Sequence, residues 1–262
     1  MTRSIVLYRR HTKRLDARRF APLAERLGLD VKLERSDDAL IAHDGTRALA
    51  YAQPCASFAG LLFYADQTVA WAEPVKRVLP AARARKWAEA FLGEAELLPG
   101  EVEGGELDFE LAAEETEAVV FDGKERRRES IKTDIVSRIA LNGVEVTGPR
   151  AKVRMTFKTD ERPVFIHAGL WEKLSRYDER ELVSEHEVAG AIRERLEDRK
   201  DCGSRLSTLV DLRLLYWADE FKGGPDLLAP WYFAEIEHSD PRYAGKEPIQ
   251  GPRQVLRLPA FR

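Results

Sequence analysis

"LNGVEVTGPRAKVRMTF", residues 141–157, decides the fold. Asn142-Gly143 is the dipeptide that a two-residue hairpin turn selects, because such a turn needs positive φ at both central positions. Gly148-Pro149 breaks the strand that follows. Beyond it, Val153, Met155 and Phe157 alternate with Lys152, Arg154 and Thr156, the period of a strand with one face turned inward. The stretch predicts an antiparallel meander and carries no side chain suited to catalysis.

Working outward, the same punctuation recurs. "EAVVFDGKE", "ESIKTDIVSRIALNG" and "VEVTGPRAKVRMTF" read as three strands separated by Asp122-Gly123 and Asn142-Gly143. "RPVFIHAGLWEKLSRY" reads as one long strand, with Val164, Ile166, Ala168 and Leu170 on one side and Phe165, His167 and Trp171 on the other. A helix over "EHEVAGAIRERLED" is expected next. Ser184 and Glu187 have the spacing of a capping box, Val183 and Val188 that of a hydrophobic staple, and Val188, Ile192 and Leu196 form the apolar stripe. "LSTLVDLRLLYWADEF", "PWYFAEIEH" and "RQVLRLPAF" supply the last strands.

Toward the N-terminus, residues 5–8 form a short strand. Asp16 is the expected N-cap of a helix ended by Gly28, and Pro22 implies either a kink or a start nearer Ala21. A meander with a turn at Asp44-Gly45 follows, then a helix from Pro80 whose apolar face carries Ala84, Trp87, Ala88, Phe91, Leu92 and Ala95. The order is β-α-β-β-β-α. Residues 94–117 are dense in Glu and Gly with little periodicity, which places a boundary at 99–105, with part of the stretch open to pairing as an edge strand. The expectation is therefore an α+β protein of two units, 1–98 and 118–262, joined by an acidic connection at 99–117. Each unit is an antiparallel meander packed by one or two helices.

The composition bounds the function classes. Of 262 residues, 44% are hydrophobic, and 42 basic side chains nearly balance 45 acidic ones, for a net charge of −3. Such balance argues against a dedicated nucleic-acid binder. The apolar run at residues 5–7 is too short for a signal peptide or a membrane anchor, so a soluble cytoplasmic protein is expected. Cys55 and Cys202 are read as idle reduced thiols. No phosphate-loop, dinucleotide-binding, HExxH or GxSxG motif occurs, and the five histidines lack metal-ligand spacing. No metal and no cofactor is expected.

Two groups of residues remain as candidates. His167 shares its strand face with Phe165 and Trp171, and such a face suits either a cavity lining or a plain sheet surface. If the strands containing Trp217 and Trp231 pair, one surface offers Trp217, Trp231 and Phe233 beside Asp219, Glu235 and Glu237. Those carboxylates suit a raised-pKa acid or base, recognition of a cationic segment, or simple cross-strand partnership with Arg213 and Arg257.

"NGVEVTGPRAKVRMTFKTDERPVFIHAGLW" and "VDLRLLYWADEF...LLAPWYFAEIE" resemble the repeat of propeptide-type PepSY-like domains and the related YycI regulators, over residues 118–240. The resemblance implies a helix packed on an antiparallel sheet in a cystatin-like layer. It also implies a protein that binds or inhibits partners without a fixed catalytic set. Such proteins are usually secreted or membrane-anchored, whereas this chain is expected to lack a signal or anchor.

The leading expectation is thus a non-enzymatic protein that binds a peptide or protein by β-augmentation. Trp171, Trp217, Trp231 and Phe233 would be its anchors, and Asp219, Glu235 and Glu237 would discriminate charge. The alternative is a cofactor-free cyclase or isomerase with His167 and Glu235 or Glu237 as the acid–base pair. A third option is an assembly subunit whose units mediate homodimerisation.

Overall fold

Helices and strands succeed one another in the order β1 (Ser4–His11), α1 (Ala17–Arg26), β2 (Glu34–Arg35), β3 (Ala39–His43), β4 (Arg47–Ala52), β5 (Leu61–Asp66) and α2 (Ala81–Glu94). There follow β6 (Glu101–Val102), β7 (Leu107–Phe121), β8 (Arg126–Leu141), β9 (Val144–Thr147), β10 (Lys152–Phe157), β11 (Pro163–Gly169) and β12 (Lys173–Glu181). The chain ends with α3 (Glu185–Asp198), β13 (Leu206–Trp217), β14 (Leu227–Ser239) and β15 (Arg253–Pro259). This computed structural model describes all residues except 1–2, 13, 30–33, 36–38, 53–59, 72, 122–125, 149, 170, 199–205, 219–226, 240–252 and 262. Cys55, Cys202, Asp122-Gly123 and Asp219 therefore lie outside the described residues. The protein is α+β with mostly antiparallel strands, β6 and β12 being a parallel pair. No helix among the described residues is long and apolar enough to cross a membrane.

Two compact units divide the chain, and neither follows the expected boundaries. A terminal unit comprises Met1–Tyr8, Arg176–Trp217 and Leu228–Arg262, and a central unit comprises Arg9–Ser175 and Ala218–Leu227. The acidic stretch expected to be a connection at 99–117 holds β6 and most of β7. β7 pairs with β8 from Leu107↔Leu141 to Phe121↔Arg126. Glu110, Glu114, Glu115 and Glu117 are all exposed along it, on both faces of the strand, while Leu111 and Ala112 are buried.

In the central unit the strand order is β2-β3-β4-β5-β11-β10-β8, with β7 and β9 also on β8. The Asn142-Gly143 turn is formed as expected, with φ of 52° and 76°, and it joins β8 to β9. The turn from β3 into β4 is centred one residue later than expected, on Gly45-Thr46, with Gly45 at φ 95° and Asp44 N–H donating to the Arg47 carbonyl at 3.1 Å, and the Asp44 carboxylate accepts from the Thr46 and Arg47 N–H groups at 3.0 and 2.8 Å. Those backbone bonds, with the Arg47 guanidinium, hold its carboxyl well below the usual range. Val153, Met155 and Phe157 are all buried, as their alternation requires. Trp87 of α2 stacks on Phe91 at 4.9 Å and meets Phe157 edge-on at 5.6 Å, which joins the helix to the sheet.

Helix α1 begins at Ala17, capped by Asp16, which accepts from the Arg19 N–H at 2.9 Å. It passes through Pro22 without restarting. Phe20, Leu23 and Leu27 are enclosed, and at roughly 1.5–3 kcal/mol each their burial offsets the ~3 kcal/mol an interior proline costs. Gly28 ends the helix at φ 68°.

The expected long strand at 162–177 is instead two, β11 and β12. Between them the Trp171 carbonyl accepts from Gly100 N–H, and Glu172 N–H donates to the His11 carbonyl. Trp171 is thereby removed from the face of Phe165 and His167 and is buried.

In the terminal unit β13, β14 and β15 form an antiparallel layer, with residues 4–8 of β1 and 176–181 of β12 continuing the order β14-β1-β12. The α3 capping box is present: Ser184 Oγ accepts from Glu187 N–H at 3.2 Å and Glu187 Oε2 accepts from Ser184 N–H at 3.0 Å. Val188 and Ile192 of α3 pack on Tyr232, Ala234 and Ile236, with Val183, Leu212, Leu214, Leu256 and Leu258 around them.

Candidate functional site

Strand parity in the terminal unit sorts the side chains of β13–β15 into two faces. Leu212, Leu214, Tyr232, Ala234, Ile236, Leu256 and Leu258 lie on the helix side. The opposite face is built from rows set by the register: Leu215↔Trp231↔Pro259, Arg213↔Phe233↔Arg257 and Asp211↔Glu235↔Val255. The expected pairing of the two aromatic strands is therefore present, and it brings Trp217, Trp231, Phe233, Glu235 and Glu237 onto one face.

On that face Trp217 and Phe233 touch at 5.2 Å with rings tilted by 46°. The Arg257 guanidinium lies 5.2 Å from the Trp217 ring centre, a cation–π arrangement. Trp217 Nε1 is enclosed without a hydrogen-bond partner. Of the arginines expected to partner the carboxylates, Arg213 is tied to Asp211 at 2.9 Å. Glu235 is held by Arg253 at 2.7 Å, a residue that sequence reasoning passed over.

The remaining sequence candidates sit elsewhere. His167 belongs to the central unit, opposite Phe63 and Arg154 on neighbouring strands. Glu235 and Glu237 belong to the terminal unit. The face around His167 carries an aromatic cluster of its own, with Phe165 against Phe63 at 5.3 Å and against Trp71 at 5.1 Å, both edge-on. A groove of about 880 Å³ over β7–β10 is lined by charges of both signs, among them Glu110, Arg138, Glu145 and Arg154. No group of three metal-binding side chains occurs among the described residues.

β15 falls on the strand expected at "RQVLRLPAF"; what the sequence did not reveal is its place at an edge. Among the described residues it has one strand partner, β14, so its far edge carries no strand. Ala260 N–H donates to the Pro230 carbonyl at 3.3 Å. Counting back by twos, Leu258, Leu256 and Gln254 direct their backbone groups at β14, and Arg257, Val255 and Arg253 direct theirs at the open edge. Pro230 has no N–H to return the bond, and the Ala260 carbonyl accepts from Val183 N–H instead, at 3.0 Å. A cleft of about 240 Å³ lies on the helix side of the same layer, lined by Ala191, Ile192, Arg195 and Leu196 of α3, by Ser207 of β13, by Ile236 of β14 and by Gln254, Leu256 and Leu258 of β15. Tyr232 fixes the entry to α3 by donating its hydroxyl to the Val183 carbonyl at 2.8 Å.

No protein-family model and no curated protein matches the chain. A solved structure does, the 1.45 Å crystal structure of an uncharacterized protein from Eubacterium rectale ATCC 33656. The TM-score is 0.51 at 10% sequence identity, over 98% of this chain and 84% of that one. The likeness is one of fold alone.

Proposed function

We propose that the protein is a non-enzymatic binder of an extended peptide or protein segment, which adds as a strand to the far edge of β15. The terminal unit is read as the cystatin- or PepSY-like layer, α3 lying across β13–β15. The observation that carries the proposal is a strand edge unmatched among the described residues, on a strand whose Leu256 and Leu258 also line a largely apolar cleft under α3. Main-chain hydrogen bonds to an open edge supply affinity without regard to sequence, and pockets for alternate side chains supply selectivity. An added strand would place every second side chain under α3 and the others on the aromatic face beside Arg253, Val255 and Arg257. Trp217 and Phe233 support that face from the second row, through Arg257 and the register of β14 with β15.

Val255→Pro is the test. By strand parity the Val255 N–H points to the open edge, so proline there removes an outward donor and leaves the ladder to β14 intact. On an array of random eight-residue peptides, the wild-type protein is expected to capture a subset that Val255→Pro binds at least about tenfold more weakly, the equivalent of ~1.4 kcal/mol. Capture that Val255→Pro leaves unchanged, or no capture at all, overturns the proposal.

A further inference from the structure

We infer that the β15 edge selects an extended segment in which acidic side chains alternate with apolar ones, a deepening that rests on the strand-addition reading above. β15 presents Arg253 and Arg257 on its aromatic face with Val255 between them, 59% exposed, and carries no acidic residue. A strand added beside it would set its own side chains directly opposite these, about 5 Å away, with β14 a further ~5 Å behind. The nearest charges a partner meets are therefore the two guanidinium groups. Arg253 is ion-paired with Glu235 and lies opposite Glu237, which weakens its pull on a partner, and Arg257 is set over Trp217, whose ring holds it toward that face, so the selection rests more on Arg257.

On the helix side the partner's other side chains meet Ile192, Leu196, Leu256 and Leu258, with exposed Arg195 at the rim. That row calls for aliphatic groups. The two faces together define a segment with acidic residues at one parity and Leu, Ile or Val at the other.

A second copy of this chain fits the edge less well. Antiparallel pairing of two β15 strands about Val255 would set Arg253 against Arg257 twice, and like charges directly opposite are destabilising. Pro259 at the end of the strand also withholds a donor, a common guard against self-pairing. An acidic partner turns the same two arginines from repulsive to attractive.

The test uses fluorescein-labelled nine-residue peptides in which Leu alternates with Glu, with Ser or with Lys, titrated by anisotropy against the full chain. The Glu peptide is expected to bind about tenfold more tightly than the Ser peptide and the Lys peptide more weakly than either, the sum of two cross-strand charge pairs. The Arg253→Glu/Arg257→Glu double variant is expected to reverse the order. Should that variant fail to fold, Arg257→Gln alone is expected to narrow the Glu-over-Ser preference about threefold. Equal binding of all three peptides, lost in Val255→Pro, would leave strand addition standing and overturn the charge selection. Binding of none would overturn both. A dimer of the unliganded protein that Val255→Pro dissociates, with no peptide bound, would make a second copy the occupant and overturn the inference.

Discussion

Replacing Gly148 with alanine is expected to destabilise the central unit by about 3 kcal/mol or more, seen as a clear fall in the urea midpoint followed by tryptophan fluorescence. Two independent effects add. Gly148 sits at φ 112°, a conformation open to glycine and costing other residues about 1–3 kcal/mol. A Cβ there would also lie 2.4 Å from the carbonyl oxygen of Ala218, an atom of the main chain. The two segments cannot easily part to relieve it, because Ala218 N–H donates to the Thr147 carbonyl at 2.8 Å. Gly143→Ala is the natural control. Its φ of 76° is also positive, but nothing lies within 4 Å of the added atom, so a loss of only about 1 kcal/mol is expected. Equal midpoints for the two variants would mean that the close approach at Ala218 contributes nothing.

Asp134→Ala is expected to cost the same unit about 3–5 kcal/mol, the range for removing one partner from a buried charged cluster. The Asp134 side chain is only 6% exposed and accepts from Arg154 at 2.8 Å, Lys132 at 2.9 Å and the buried hydroxyl of Thr156 at 2.5 Å. Its removal leaves the enclosed Thr156 hydroxyl and the Lys132 ammonium without this acceptor, while Arg154, 45% exposed, turns to water. Burial raises the pKa of this carboxyl, but the bonds from Arg154, Thr156 and Lys132 together outweigh it and hold the group below its ordinary value. A folded-state value below the unfolded one contributes stability that is fully present above the unfolded pKa and is lost as pH falls through the folded one. The difference in stability between wild type and Asp134→Ala is therefore expected to hold near neutrality and to shrink below about pH 4. Urea midpoints across that range check it, and a difference that grows with acid would contradict the assigned charge state.

Much of the local structure was legible because local signals act over a few residues. The capping box at Ser184 and Glu187, the positive-φ pair Asn142-Gly143 and the alternation of Val153, Met155 and Phe157 each encode their geometry without help from the rest of the chain. β7 was not legible. Its outward Glu110 and Glu114 and its inward Leu111 do alternate, but the surrounding glutamates and glycines masked the period and gave the look of a linker. The units were not legible either, since residues 1–8 cluster with 176–217 and 228–262, and composition along a chain cannot reveal a unit assembled from its two ends.

The candidate site was half legible. Pairing of the Trp217 and Trp231 strands followed from their lengths and the loop between them, and the shared face of Trp217, Phe233 and Glu235 followed from parity. Trp171 was misplaced because Gly100 N–H and Glu172 N–H break the strand it was assigned to, a long-range effect invisible locally. The strand at β15 was legible from "RQVLRLPAF", but its edge position was not, because strand order is set by pairing with distant residues of β14. Charge and proline are the usual marks of such an edge.

The most direct measurement is amide hydrogen exchange at Val255, followed by NMR with and without a saturating peptide of alternating Leu and Glu. Strand addition at β15 predicts that Val255 exchange slows at least about tenfold on binding, while Leu256, whose backbone parity directs it at β14, changes little. Val255 exchange that stays unchanged while the peptide is bound would contradict the account.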